Sequence, residues 1–416
     1  MKLVFINRFF HPDQSATALM LGDLLAGIDR TAHECLVIAS SSIHTHGDDV
    51  DDELPQYITV KRTWGLAQGG SSLAARLVNF VLFYLGVLTI GMRQIGRGDL
   101  VVCLTDPPLI SVPVQFLARI KGARVVNWLQ DIYPETATTL GFGSQDNALI
   151  RLLRLLRNRS WNHAHANICI GQRMKERVAH CGVPNDKLHV IPNWAEENSL
   201  APLPSENNPL RSEWNLPDDS VIVGYSGNLG RAHDVDTMLD AGRRLVAEGE
   251  THLQFLFVGG GVKHALLPTP ADEPKVAPYF QVRGYRPRSE LRLSLAVADI
   301  HWLSLEPELE GLIVPSKFYG VIAAGRPIIF IGDTDGEIAQ LISRAECGNS
   351  FRKGDVEGLA NYIRMLGSDV RLRKRLGANG RDYCETHLTR AARIADWNRI
   401  LREVGEGTAG ARGTMP

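Results

Sequence analysis

At 416 residues the chain is too long for one compact core and suits two domains of ordinary size. Its formal net charge of −1 carries no overall polyanion-binding signature, so no nucleic-acid partner is expected. The six cysteines stand far apart with no C-x-x-C spacing; Cys35, Cys103 and Cys169 lie in apolar runs, which fits buried reduced thiols rather than a zinc site or a disulfide framework.

In chain order, short apolar runs alternate with helical patterns. Residues 3–6, 35–39, 100–104, 125–129 and 166–170 read as strands in the first half, with helices notably over 16–25 and 109–120. Such near-continuous, β-branched-rich runs are expected of parallel strands buried on both faces. Met1-Lys2-Leu3-Val4-Phe5-Ile6-Asn7 reads as the first strand and not as a signal peptide, so a cytosolic location is expected. The second half repeats the plan at 221–225, 253–258, 279–283, 300–303 and 327–331. This alternation predicts an α/β fold of two Rossmann-like, doubly wound domains facing a central cleft, with ligands at the carboxyl ends of the strands. The boundary is expected near 193–210, where Pro202, Pro204, Asn207, Asn208 and Pro209 cluster, giving domains over 1–200 and 201–387. A charged helix over 369–387 is followed by an Arg- and Ala-rich segment over 388–404. The Gly-rich tail 405–416 reads as disordered.

Two segments raise the question of a membrane. Residues 73–92 are strongly apolar, but Arg76 and Asn79 interrupt them, and the clean run 80–90 is shorter than the ~20 residues that span a bilayer. A core helix is the plainer reading; a helix dipping into the membrane interface is the sharper one. Further on, Leu149 to Arg159 repeats leucine pairs every three residues, placing Arg151, Arg154 and Arg157 on one stripe and leucines on the other side. Such a helix either lies on anionic headgroups or packs its leucines inward with its arginines in solvent.

Candidate functional residues fall at the predicted carboxyl ends of strands. The loop Arg8-Phe9-Phe10-His11-Pro12-Asp13-Gln14-Ser15-Ala16-Thr17 offers Ser15 and Ala16, although Asp13 or Ser15 could simply cap the next helix. Asp131, in Gln130-Asp131-Ile132-Tyr133-Pro134-Glu135, sits where a cleft residue belongs, with an Asx turn or helix cap as the plainer reading. In Gly224-Tyr225-Ser226-Gly227-Asn228-Leu229-Gly230-Arg231-Ala232-His233, Gly227 and Gly230 let backbone approach a ligand, and Arg231 and His233 can add donors. Gly259 and Gly260 end another strand. Arg283 and Tyr285, in Val282-Arg283-Gly284-Tyr285-Arg286-Pro287, could hold a nucleotide base or form an ordinary turn. The stretch Glu310-Gly311-Leu312-Ile313-Val314-Pro315-Ser316-Lys317-Phe318-Tyr319-Gly320, continuing to Ala323-Ala324-Gly325-Arg326-Pro327, reads as a loop leading to a helix start. A helix start presents free N–H groups to an anion. Two Asp-x-Asp matches, Asp234/Asp236 and Asp333/Asp335, make only a weak metal claim, and no metal or other cofactor is expected.

These segments together resemble the retaining glycosyltransferases of family 4, with the GT-B fold, and in particular the bacterial branch acting in capsule, O-antigen and colanic-acid type polysaccharide assembly. The resemblance rests on 11–17, 131–135, Val190-Ile191-Pro192-Asn193-Trp194, 227–231 and 310–327, which span almost the whole chain in the family's order. It implies a nucleotide-activated sugar on the second domain, an acceptor on the first, and a final helix, about 388–404, packing back on the first. The implied activity is hexosyl or N-acetylhexosaminyl transfer, with UDP ahead of GDP as carrier, to a lipid-linked saccharide at the inner face of the plasma membrane. Arg231, Lys317, the 227–230 backbone and the helix start after Ser316 would stabilise the departing diphosphate, with Asp131 orienting acceptor or donor.

The departures are specific. Gly320 and Leu312 occupy the positions of the family's two glutamates, leaving Glu310 or Glu337 to reach the site instead. Asn228 and His233 stand where the family usually has arginine and lysine. Two alternatives stay open on sequence: a GT-B-fold nucleotide-sugar epimerase and a sugar-nucleotide-binding protein without catalysis.

Overall fold

A computed structural model describes residues 1–29, 34–42, 55–65, 73–145, 147–195, 199–205 and 208–407. Asn207 and the tail 408–416, both expected to be irregular, lie outside the described residues. The chain divides into two compact units, one comprising Met1–Pro192, Gly311–Ile313 and Ala391–Pro416, the other Asn193–Glu310 and Val314–Arg390. The first unit thus ends its main run at Pro192 rather than at residue 200.

In the first unit the elements run β1 (Lys2–Ile6), α1 (Ala16–Gly27), β2 (Glu34–Ser40), β3 (Ile58–Thr63), α2 (Leu73–Gln94), β4 (Leu100–Cys103), α3 (Ser111–Lys121), β5 (Arg124–Leu129), α4 (Glu135–Thr139), α5 (Ala148–His163), β6 (Ala166–Cys169), α6 (Gln172–His180) and β7 (Leu188–Val190). All seven strands are parallel, in the order β3-β2-β1-β4-β5-β6-β7. Every residue of β4 and β6 is buried, as a sheet covered on both faces requires. Helix α3 stops at Gly122, whose φ of 67° lets the chain turn left-handed without a Cβ penalty.

The second unit runs α7 (Pro209–Glu213), β8 (Val221–Ser226), α8 (Asp236–Ala247), β9 (Leu253–Val258), β10 (Phe280–Arg283), α9 (Leu291–Val297), β11 (Ile300–Ser304), α10 (Lys317–Ala323), β12 (Ile328–Ile331), α11 (Glu337–Ala345), β13 (Gly348–Phe351), α12 (Val356–Ser368) and α13 (Val370–His387). Its six parallel strands are ordered β10-β9-β8-β11-β12-β13. Asp355 and Asp369 cap α12 and α13, accepting the Gly358 and Leu372 N–H groups. The last helix, α14 (Arg390–Glu406), packs into the first unit, where Trp397 is fully buried with its ring 4.7 Å from that of Trp128.

Strands β3, β7 and β13 have no counterpart in the apolar pattern, because edge strands such as Ile-Thr-Val-Lys-Arg-Thr and Gly-Asn-Ser-Phe carry few buried residues. Helix α5 corrects a second expectation. Its arginine stripe is not all in solvent: Arg151 is exposed, but Arg157 is 2% exposed, donates to the Tyr133 carbonyl at 2.6 Å and pairs with Glu135, which Arg154 also meets at 3.4 Å. Leu149, Leu152 and Leu155 face outward instead. Spacing separated the two stripes correctly but could not say which one finds a carboxylate inside.

Candidate functional site

In each unit the first strand and the strand on its far side, β1 with β4 and β8 with β11, send their connections in opposite directions. This switch point is where open α/β sheets leave a crevice at the strand ends. The residues at the two switch points differ in kind.

In the second unit, β8 ends at Ser226 and turns at Gly227, whose φ is 123°. A Cβ there would stand 2.5 Å from Lys317 Cε, so the missing side chain is what admits the lysine. Gly259 (φ 130°) packs against the Gly227 carbonyl and Gly261 (φ 132°) against that of Leu229; a Cβ on either would come within 2.4 Å of backbone oxygen. Three glycines with φ beyond the range of ordinary residues therefore bring two loops into backbone contact.

Lys317 enters this space from the first residue of α10. Its Nζ lies 5.2 Å from the centroid of the Tyr225 ring and 3.2 Å from His233 Nε2. His233 Nδ1 is 2.6 Å from the Ser304 carbonyl, at the end of β11. A carbonyl accepts only, so Nδ1 carries the proton and Nε2 presents its lone pair to the ammonium. Burial, then the Lys317 charge, lowers His233 to about 4, and burial lowers Lys317 to about 8. At neutral pH the pair is a neutral imidazole holding a lysine that is still mostly charged. Lys263 donates to the His233 carbonyl and to Glu306 (3.1 Å), and Lys353 pairs with Glu306 at 2.7 Å. These carboxylate-bound lysines brace the loop, leaving Lys317 to face the glycine turn.

The remaining sequence candidates in this unit divide. Arg231 and Asn228 are exposed on the same turn, Gly230 lies between them, and Gly260 sits against the ring of Tyr285, which is 66% exposed. Arg283 is taken up by the Trp214 carbonyl and Gln281, both at 2.7 Å, which ties it to the local packing. Pro315 is buried and Ser316 exposed at the start of α10. That helix is only seven residues long, and its Phe318 and Tyr319 N–H groups turn back onto the Pro315 and Ser316 carbonyls. The anion-ready helix start expected from sequence is therefore weaker than the lysine beside it. Gly320 faces Leu295 and Leu200 at ordinary contact distance. Glu310 is 8% exposed and its Oε1 accepts the Glu337 N–H at 2.9 Å, fixing the start of α11; Glu337 itself is 6% exposed. Of the Asp-x-Asp pairs, Asp234 is buried ahead of α8 and Asp333 folds onto the Asp335 N–H at 2.9 Å. Among the described residues no three His, Cys, Asp or Glu side chains gather as metal ligands. Tyr225, Ser304, Lys263 and Gly261 were not singled out as site residues on sequence; only the strand-end glycine run pointed near them.

In the first unit, Arg8 and Asp106 close the β1–β4 switch point with an ion pair at 3.0 Å. Asp131 follows β5, where it bridges Ile313, and its N–H reaches Thr105 Oγ1 at 3.3 Å. Burial, and secondly the Asp106 charge, pushes its carboxyl up to about 7. It lines a small cavity with Thr105, Ser111, Asn127, Tyr133 and Trp161. Ser15 heads α1 without capping it; its N–H takes Asp13 Oδ1 at 2.8 Å, while its buried Oγ meets no partner among the described residues. Ala16 is the first residue of that helix. Leu312, at one family glutamate position, gives its carbonyl to the Ile132 N–H at 2.9 Å.

Comparison with known proteins agrees with this layout. Residues 17–194 match the family described as Glycosyl transferase 4-like domain, and 206–383 that described as Glycosyl transferases group 1. WbjE of Pseudomonas aeruginosa, assigned as a probable glycosyltransferase, is 31% identical over 281 residues, or 64% of this chain and 66% of that protein. WcaI of Escherichia coli (strain K12), a candidate glycosyl transferase of colanic acid biosynthesis, is 27% identical over 56% of this chain and 58% of its own length. The chain thus aligns with slightly under two thirds of WbjE and with 58% of WcaI. Among solved structures, HepE of Anabaena in complex with UDP-glucose superposes with a TM-score of 0.69 at 16% identity, covering 98% of this chain and 100% of that one, a likeness of fold.

Proposed function

Because the chain belongs to the family 4 type of glycosyltransferases with the GT-B fold, we propose that it transfers a sugar, with retention, from a nucleoside-diphosphate sugar to a lipid-linked saccharide in cell-surface polysaccharide assembly. The observation that carries this reading is Lys317, held by His233 and Tyr225 against the glycine turn at 227. A partly buried cation beside a side-chain-free turn suits a diphosphate, and pre-set charge at the departing group is a large share of catalysis in such transfers. UDP is the expected carrier, in keeping with the UDP-glucose bound by HepE. The sugar is a hexose or N-acetylhexosamine in this reading. Arg231 adds a second cation from the same turn.

Asp131 has a different part. A carboxyl near pH 7 can both accept and return a proton, or hold a hydroxyl in place, so it suits orientation of acceptor or donor. No metal takes part in this scheme: Lys317 and Arg231 meet the diphosphate charge, and activity should survive a chelator. The enzyme works in the cytoplasm.

The test is purified protein with a panel of nucleoside-diphosphate sugars, with and without membrane lipid extract. Acceptor-dependent release of nucleoside diphosphate, with the product anomer matching the donor, is the expected result. Sugar isomerisation without acceptor, or binding with no turnover, would overturn the assignment.

A further inference from the structure

Beyond the transfer reading, and independently of which acceptor it uses, we infer that the outer face of α2, α3 and α5 in the first unit docks on an anionic lipid bilayer. The three helices pack side by side in the order α2-α3-α5. The inner sides of α2 and α3 enter the core through Phe83, Val87, Val114 and Leu117, and α5 is joined to α3 by Ser111 and Ser160, whose hydroxyls are 2.8 Å apart. Their outer sides should be polar if water is their medium.

They are apolar instead. Leu77, Val81 and Leu85 form a stripe at four-residue spacing on α2, each at least half exposed. Phe116 (65%) and Ile120 (55%) stand one turn apart on α3, and α5 presents Leu149, Leu152 and Leu155. Large contiguous apolar faces of this kind mark a partner surface. The charge on the same helices is one-sided. Arg76, Arg93, Arg119, Arg151 and Arg159 are exposed, and none of the three helices contains an aspartate or glutamate, in a chain whose net charge is −1. Apolar side chains that share their helices with arginines and no carboxylate complement an acyl region under anionic headgroups.

Part of α2, Ala75–Gln94, is long and apolar enough to cross a membrane by length and composition. Phe83 and Val87 tie its inner side into the core beneath the sheet, so it lies along the interface rather than through it. The inward turn of Arg157 to Glu135 completes the arrangement, because it aims the leucines of α5 outward.

The experiment sediments the full chain with vesicles of phosphatidylglycerol and phosphatidylethanolamine, and separately with phosphatidylcholine, neither containing donor nor acceptor. Binding to the anionic vesicles should exceed binding to phosphatidylcholine at least tenfold. Leu149→Gln/Leu152→Gln/Leu155→Gln and Arg151→Gln/Arg159→Gln should each weaken it at least tenfold with unchanged melting temperature. Met365→Gln/Val370→Gln, exposed apolar positions in the second unit, should bind as the parent does. No pelleting with anionic vesicles, or full binding by the leucine variant, overturns the inference. So does a dimer that the leucine variant dissociates in the absence of vesicle binding, which would give the face to a second copy. Since no sugar is present, failure here leaves the transfer assignment standing, and failure of transfer leaves this result standing.

Discussion

The two sheets share one topology and have opposite switch points. Around β8 and β11 the chain uses glycine at three strongly positive φ values and brings a largely shielded cation, Lys317, against the turn. Around β1, β4 and β5 it uses no glycine in 8–17 or 130–135, and the titratable group after β5 is a carboxyl, Asp131, that resists losing its proton. The glycine turn has backbone within reach of a ligand and positive charge behind it, which fits phosphate. The other end offers side chains and a proton-exchanging acid, which fits hydroxyl groups. Topology supplies the crevice; the loop residues decide what enters it.

The sharpest way to break this contrast is Lys317→Ala. Turnover should fall by ~10²–10³, the range seen when one preorganised electrostatic donor is lost. Full activity in both Lys317→Ala and Arg231→Ala would remove the phosphate assignment from this turn altogether. Gly227→Ala comes next. It forces a Cβ into Lys317 and a strained φ of 123°, a strain of ~1–3 kcal/mol, so donor binding measured by calorimetry should weaken about tenfold or more.

Asp131→Asn tests the other end. The folded carboxyl titrates near 7 and the unfolded one near its ordinary value of 3.8, so the unfolded chain holds fewer protons between those pH values. Stability therefore declines as pH rises across that window, and the asparagine variant removes the decline. At pH 8 it should be more stable by ~1–3 kcal/mol in urea melts, and less active; an unchanged melt would mean that the carboxyl is not held protonated. A smaller effect follows from Lys317 at about 8: donor affinity should drop several-fold as pH rises from 7 to 9, as the ammonium loses its proton. A flat affinity profile would detach Lys317 from the phosphate. Ser15→Ala should be the mildest, within about 0.5 kcal/mol in stability, because its Oγ meets no partner among the described residues. A clear fall in turnover with unchanged stability would place that hydroxyl against the acceptor.

Much of the fold was legible because parallel strands buried on both faces spell themselves as apolar runs; β5, β9 and β12 are examples. The edge strands β3, β7 and β13 were not, although the edge strand β10 was; β3 buries only its end residues Ile58 and Thr63 and includes Lys61 and Arg62. The site was legible in part. Glycines 227, 230, 259 and 260 stood out from local pattern and Lys317 from the family resemblance, but the His233–Lys317 contact joins positions 84 residues apart, and its third member is a backbone carbonyl that no sequence displays. Glu310 illustrates the reverse case. Its position beside the family glutamates suggested a ligand contact, whereas in the fold one of its oxygens holds the first N–H of α11. The polarity of α5 was set by Glu135, a residue outside the helix, so no reading of the helix alone could have oriented it.

The burial of α14 in the first unit also bears on the order in which the protein is made. Trp397, Ile400, Leu401 and Val404 are at most 1% exposed, and Trp397 meets Trp128 across more than half the chain's length. The ribosome must emit all of the second unit before those side chains arrive, a wait of tens of seconds at ordinary synthesis rates. During that interval the Trp128 side of the first sheet lacks its last helix while the second unit already has every strand it needs. A stalled or truncated chain ending near residue 390 should therefore show a protease-resistant second unit joined to a first unit that is readily cut.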